Sequence, residues 1–363
     1  MRVTSSMLVS NFMNNLNTNM ARLDKLQTQM ATNRKFAHLS DDPVGVIYSQ
    51  QARYRLNRLQ HYQKNVESAE GWLTQAETTL SDLNELVKSA YEACIDVSTD
   101  VKSPSDKKNA SEYLGQLRDQ LLQTLNSTFG DKFVFGGYNT TGYVDGGKTV
   151  TPFTLEAVPV TVQKRNELGD YMWLSQPDPN DPSTWVPDTE VVSREVLHYN
   201  NVDLTDPANA GVIQTLREDV LHFSVGIGVD MPVTLNGIDV VFYGTDEVTG
   251  EPKNIFSLLD DLYRSANNGY SPEHISVHIP ELQEAQSHLL AYTAELGGRA
   301  NRLEILSSRY EQDELNYTQM KSDAEDADAA EVIMNFKMAE SVYKAALATG
   351  SYIIQPTLMD FLR

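Results

Sequence analysis

The side chains best able to do chemistry in this sequence read as inert. His274 and His278 stand four residues apart, the spacing that puts two imidazoles on one helical face, but Pro272 and Pro280 crowd the pair, which reads as surface. Cys94, the one cysteine, excludes an intramolecular disulfide and any multi-thiolate metal site. Gly226-Ile227-Gly228 lacks the third glycine and following helix of a dinucleotide fingerprint, so it reads as a strand bend. Asp178, Asn180 and Asp181 offer oxygen donors for calcium, but in a proline-rich stretch without EF-hand spacing, which reads as a solvated loop. Asn126-Ser127-Thr128 and Asn139-Thr140-Thr141 match the glycosylation pattern, which counts only where the acceptor machinery exists. Tyr171, Trp173 and Trp185 lie near carboxylates, as in some sugar-binding surfaces and in many inert β-domains. No catalytic residue, cofactor or metal is expected, and the chain does not read as an enzyme.

The elements that would position such groups say more. The chain has 363 residues, is 40% hydrophobic and carries a formal charge of −21, a balance that supports folded cores and disfavours nucleic acid as a partner. No apolar run approaches the roughly 18 residues of a membrane span, so membrane insertion is not expected, and no secretory signal peptide can be read in the polar start. Eleven of 14 prolines and 13 of 20 glycines lie between Gly136 and Pro280, so two helical regions flank a helix-poor centre.

From Leu59 an apolar or small residue recurs at alternating steps of three and four through Tyr62, Val66, Ala69, Leu73, Ala76, Leu80, Leu83, Val87, Ala90, Cys94 and Val97. This predicts a long helix packed along a seam. A second helix is predicted from Ser103 as N-cap and Pro104, with the stripe Leu114, Leu117, Leu121 and Leu125 and a stop at Gly130-Asp131. Phe133-Val134-Phe135 then reads as a strand entering a tight turn at Gly136-Gly137. In the centre, Val158 to Val162, Val191 to Val192, Val233 to Leu235 and Ile238 to Phe242 suggest strands, with Asn236-Gly237 as a hairpin turn. After Pro280 a helical stripe returns through Leu289, Tyr292, Leu296, Leu303, Leu306, Tyr310, Tyr317, Met320, Ala324, Ala327, Met334 and Met338.

The amino-terminal arm has its own stripe in Val9, Phe12, Leu16, Leu23, Leu26 and Met30, with Asn19 at one core position. Residues 1–58 hold 8 basic and 3 acidic side chains, whereas residues 281–363 hold 7 and 14, so the two ends are expected to pair and to bring the termini together. The tail, with Tyr352, Ile353, Ile354, Leu358, Phe361 and Leu362, is strongly apolar, and such ends gain most by packing between subunits. The architecture is therefore mainly α with a β-rich insert: long antiparallel coiled-coil helices from both termini, carrying an inserted β-rich domain. The expected division is 1–45 plus 325–363 as a terminal assembly domain, 46–135 plus 281–324 as a helical bundle, and 136–280 as the insert, part of 220–280 packing on the helices.

Met30-Ala31-Thr32-Asn33-Arg34-Lys35, followed by Leu39-Ser40-Asp41-Asp42-Pro43-Val44-Gly45, resembles the amino-terminal signature of the bacterial flagellin superfamily. Asn33 stands where the family usually has glycine, and asparagine tolerates the left-handed backbone best after glycine. Within the Asp41-Asp42-Pro43 stretch, Ser40 is read as the cap of the next helix, with the carboxylates favouring its positive end. The ending Ala345 to Gly350, then Ile353 to Leu362, resembles the hook–filament junction members more than flagellin itself, and Phe133 to Gly137 fits the same superfamily.

The resemblance implies a structural junction protein, extracellular on the flagellum, exported without a cleaved signal peptide. It implies self-association in a ring-like layer, contact with a neighbouring hook-associated junction protein and with flagellin, and an export chaperone. The assembly interface it implies is the arm stripe together with Met334, Met338 and the apolar tail, and its signature turn is Asn33, Arg34, Ser40, Asp41, Asp42 and Pro43. Two rivals remain: a flagellin forming the filament itself, and a carbohydrate-binding or enzymatic insert on a helical anchor.

Overall fold

A computed structural model describes residues 5–99, 104–166, 170, 172–175, 186–245 and 252–353. It opens with α1 (Ser5–Thr32), α2 (Pro43–Val97) and α3 (Pro104–Leu125). A β-rich stretch follows: β1 (Thr128–Phe129), β2 (Lys132–Phe133), β3 (Tyr143–Asp145), β4 (Lys148–Val150), β5 (Phe153–Gln163), β6 (Trp173–Ser175), β7 (Val186–Pro187), β8 (Thr189–Tyr199) and β9 (Val202–Asp203). Then come α4 (Ala210–Glu218), β10 (His222–Gly226), β11 (Val229–Pro232), α5 (Gly237–Val241), β12 (Phe242–Thr245) and β13 (Pro252–Asn254). The chain returns through α6 (Ile255–Asn267), α7 (Pro272–Ser276), α8 (His278–Glu325) and α9 (Ala329–Ile353). Helices from both ends around a centre of small sheets are the architecture the sequence predicts.

Two compact units divide the chain: residues 1–61 with 308–363, and residues 62–307. In the second unit the α2 seam is close to saturated. Ten of its eleven heptad positions from Tyr62 to Val97 are buried and Tyr62 itself is half-buried. All four stripe residues of α3 are buried too. Cys94 lies in this seam, wholly buried, with its sulfur 3.5 Å from the Ile275 carbonyl oxygen. Burial pushes its thiol pKa up to about 11, so it behaves as a small apolar side chain.

The β-rich stretch is organised by one long ladder, β5 against β8, in register from Phe153 opposite Tyr199 to Gln163 opposite Thr189, with β9 on the far side of β8. Val158 to Val162 and Val191 to Val192 thus lie in strands as expected. The ladder is joined to the end of α3 by Asn126. Its amide donates to the Phe153 carbonyl at 2.9 Å and accepts from the Phe153 N–H at 3.0 Å, standing in for a neighbouring strand. The acceptor amide of that glycosylation pattern is therefore occupied by backbone.

Five local expectations are corrected. Gly237–Val241 is a helical turn, and Asn236 caps it by accepting from the Ile238 N–H at 2.9 Å rather than turning a hairpin. Val233 to Leu235 is irregular, and Phe242 alone of the expected last strand enters a ladder. Ile238, Val240 and Val241 are all buried, so no polar face exists for a half-exposed strand, and packing overrides β-branched propensity. Helix α3 ends at Leu125, not at Gly130-Asp131, which instead turn the β1–β2 hairpin with Gly130 at φ 59°. Of Phe133 to Phe135 only Phe133 is in a strand; Val134 and Phe135 are buried in the following turn.

Candidate assembly interface

In the terminal unit α1 and α9 pack against each other. They are antiparallel: the ring of Phe12, early in α1, lies against Gly350, late in α9, while Asn33 and Arg34, just after α1, bond to Ala327 and Asp326, just before α9. The two ends of the chain pair as expected, though α9 itself carries two acidic and two basic residues, so the seam and not net charge joins it to α1. A Cβ on Gly350 would come within 2.2 Å of the Phe12 ring, so only glycine leaves room for it.

The burial of this pair differs from that of the α2 seam. On α1, Leu26 is buried, Val9, Phe12, Leu16, Asn19 and Leu23 are half-buried, and Met30 is exposed. On α9 the seam is Val332, Phe336, Ala339, Tyr343, Ala346 and Gly350, again at steps of four and three. Met334 and Met338, expected in the stripe, are exposed on the opposite side, at 57% and 56%. Helix α9 is thus apolar on two sides, of which the chain itself covers one. Tyr352 and Ile353 close α9; Ile354, Leu358, Phe361 and Leu362 lie outside the described residues, as do Ser103, Tyr171, Asp178, Asn180, Asp181 and Trp185.

The signature turn joins the ends of three helices. Asn33 adopts φ 55°, as its resemblance to a glycine position requires. This left-handed residue lets its carbonyl accept from the Ala327 N–H at 3.0 Å while the Lys35 N–H donates to the Glu325 carbonyl at 2.7 Å. Asp41 accepts from the backbone N–H groups of Ala37 and His38 at 3.1 and 3.0 Å and pairs with Lys25 at 3.1 Å. The His38 N–H, then Lys25, holds its carboxyl down at about 2. The cap of α2 is Asp42, not Ser40: its carboxylate accepts from the Gly45 N–H at 2.9 Å, with Pro43 in the first helical turn. Ser40 is two positions too early. Gly45 leaves space for that carboxylate, since a Cβ there would sit 2.4 Å from it.

Glu325, the last residue of α8, is the buried centre of the unit, its side chain 2% exposed. It accepts from the Ser49 hydroxyl and the Arg53 Nε, and from Arg53 Nη2 at 2.6 Å. Arg53 above all lowers its pKa to about 2. Sequence reasoning missed Glu325, Ser49, Arg53, Gly45 and Gly350. The Asp42-Pro43-x-Gly45 spacing is a legible capping signal, but nothing near Glu325 announces partners so distant along the chain.

Groups able to do chemistry stay apart. His274 and His278 fall in different helices, His274 pairing with Asp170 at 2.9 Å and His278 with Glu281 at 3.2 Å. Gly226-Ile227-Gly228 turns the β10–β11 hairpin. Among the described residues there is no cluster of three His, Cys, Asp or Glu able to hold a metal, and no helix long and apolar enough to cross a membrane.

Residues 3–140 match the family described as the bacterial flagellin N-terminal helical region. The chain is 25% identical over 303 residues to flagellar hook-associated protein 3 of Salmonella typhimurium, spanning 74% of this chain and 92% of that one. It is 22% identical to the protein of that name from Escherichia coli, over 95% of each. The chain is thus similar over most of its length to proteins named flagellar hook-associated protein 3, and over residues 3–140 to the flagellin amino-terminal family. The fold agrees with a solved flagellar hook-associated protein from Vibrio parahaemolyticus, at TM-score 0.54 and 16% identity over 79% of this chain and all of that one.

Proposed function

We propose that this chain is a structural component of the bacterial flagellum, set at the junction between hook and filament. Its terminal helices pack among neighbouring subunits in a ring-like layer, joining a hook-side junction protein to flagellin. The observation that carries this reading is the two-sided α9, with Val332 and Phe336 turned to α1 and Met334 and Met338 uncovered on the other side. A helix of that pattern in a single chain is incomplete, and neighbours complete it. The relatives matched over most of their length are named flagellar hook-associated protein 3, whereas the flagellin match spans 41% of this chain, which favours this reading over flagellin. The work is mechanical, no residue cluster among the described residues supports catalysis, and the insert is a passenger of the helical frame. Export without a cleaved signal, with a chaperone covering the apolar ends, belongs to the same proposal. So does the division into 1–45 plus 325–363 for assembly, 46–135 plus 281–324 as bundle and 136–280 as insert.

Gold labelling of native flagella with antibody to this chain tests it. Label confined to one band between hook and filament is expected, and label along the filament supports the flagellin reading instead. Replacing Leu23 and Leu26 by serine should abolish that band.

A further inference from the structure

Sulfur is unevenly distributed along this chain. The terminal unit, residues 1–61 with 308–363, holds nine of the eleven methionines, and the longer central unit holds only Met172 and Met231. Exposure sharpens the contrast. Met7, Met13, Met20 and Met30 of α1, Met320 of α8 and Met334 and Met338 of α9 are each between 44% and 57% exposed, whereas Met231 is 2% exposed. The seam between α1 and α9, from Val9 and Phe12 to Leu26 on one helix and from Val332 to Gly350 on the other, contains no methionine. Among the described residues of this unit, every thioether is therefore open to water.

Leucine or valine at these positions would supply similar apolar area without reactivity. Methionine adds a polarisable divalent sulfur that an electrophilic oxygen can reach. The thioether lone pair attacks one oxygen of a hydroperoxide, the O–O bond breaks, and the departing oxygen takes a proton to leave as water or alcohol. Sulfur is oxidised by two electrons to the sulfoxide, and the peroxide is reduced. The product is polar and chiral, so a side chain suited to an apolar contact becomes one suited to water. Cys94, the one thiol, does not compete, since it is buried and its pKa is about 11.

Resting on the flagellar reading above, we infer that the exposed methionines of the terminal unit are a modification site. Hydroperoxides convert them to sulfoxides in the free chain, and sulfoxidation keeps the modified chain out of the flagellum. The response is graded, because each of seven thioethers adds one polar S=O group to the same unit. It is reversible by methionine sulfoxide reductases, one for each sulfoxide epimer. The central unit is spared, because Met231 is closed to solvent and Met172 is its only exposed thioether among the described residues.

The site is tested on the purified, folded chain, incubated with hydrogen peroxide and mapped over time by peptide mass spectrometry. The seven methionines should oxidise within about threefold of their rates in the denatured chain, and Met231 at least roughly tenfold more slowly than when denatured. Retention on a phenyl column should fall on oxidation and return after treatment with both reductases. For the consequence, two differently tagged chains, one native and one carrying Met→Leu at the seven positions, are co-expressed in the flagellated bacterium that makes this protein. A brief sublethal pulse of hydrogen peroxide should lower the native-to-leucine ratio in flagella isolated afterwards about threefold or more, relative to cells without the pulse. That comparison cancels general effects of peroxide on the cells and any effect of the leucines themselves. The inference is overturned if the seven methionines oxidise as slowly as Met231, or if the pulse leaves the ratio unchanged or raises it. Where the leucine chain does not enter flagella, the native chain decides: copies incorporated during the pulse should carry less sulfoxide than unassembled copies of the same culture, and equal content overturns the inference. A native tagged chain absent from flagella without peroxide overturns the flagellar reading instead, while the oxidation map still decides the modification site.

Discussion

The α2 seam in the central unit and the α1–α9 pair in the terminal unit share one heptad logic but differ in completeness. Val66, Leu73, Leu80, Leu83 and Val87 are at most 1% exposed, whereas Val9, Phe12, Leu16 and Leu23 keep part of their surface in water and Met334 and Met338 keep most of theirs. A periodic apolar stripe therefore does not say where its partner is. Full burial marks a seam closed within the chain, and half-burial with a second apolar side is the pattern on which the proposed contact with neighbours rests.

That contrast can be broken by mutation. Leu83→Ala should cost about 3 kcal/mol, within the 2–5 kcal/mol of leucine truncations in packed cores, and Leu23→Ala less than half as much. Denaturant unfolding of the monomer measures both, and equal losses would mean the arm is as self-sufficient as the seam. Deleting residues 1–45 and 325–363 should correspondingly leave a cooperatively melting remainder. Gly350→Ala should loosen α1 and α9 by about 1–3 kcal/mol, because the new methyl must displace Phe12. Hydrogen exchange should show faster amides in both helices and none of the change along the α2 seam.

Acid should separate the regions as well. The Glu325 carboxyl titrates near 2 rather than at 4.5, so its contribution is complete above about pH 4.5 and is lost as pH falls towards 2. Glu325→Gln should flatten that acid limb for the terminal unit, read by its melting between pH 2 and 5, and leave the limb of the central unit unchanged. Reversing Lys25 to Glu should lower stability only slightly, since its pair with Asp41 is solvent-accessible. The smallest effect on the monomer, within about 0.5 kcal/mol, is expected for Met334→Ser with Met338→Ser, which should nonetheless stop incorporation into flagella. If incorporation survives, the uncovered side of α9 is not the assembly surface.

The helices and the seam were legible because periodicity is a local signal repeated many times, and Cys94 took its predicted place in it. The register of α9 was not, because Met334 and Met338 continue one stripe while Phe336 and Tyr343 begin another, and only contact with α1 decides which is inward. The Asn236–Phe242 stretch failed for a related reason. Its β-branched residues favour a strand, yet burial on every side makes a capped turn the better solution. In the signature, Asn33 was read correctly from its backbone tolerance, while the α2 cap was placed two residues early because Ser40, Asp41 and Asp42 can all accept from an amide. Glu325 gave no local signal at all.

The seating of Phe12 on Gly350 also sets an order of events. These residues lie near opposite ends of the sequence, so their contact closes a loop of nearly the whole chain, and little can reward that closure until the intervening helices have formed. The α1–α9 pair should be the last part to fold and the first to open. On the proposed assembly, a subunit arriving at its place with these two helices still apart would present both of their apolar sides to its neighbours, so that for this region joining the assembly and completing the fold would be one step.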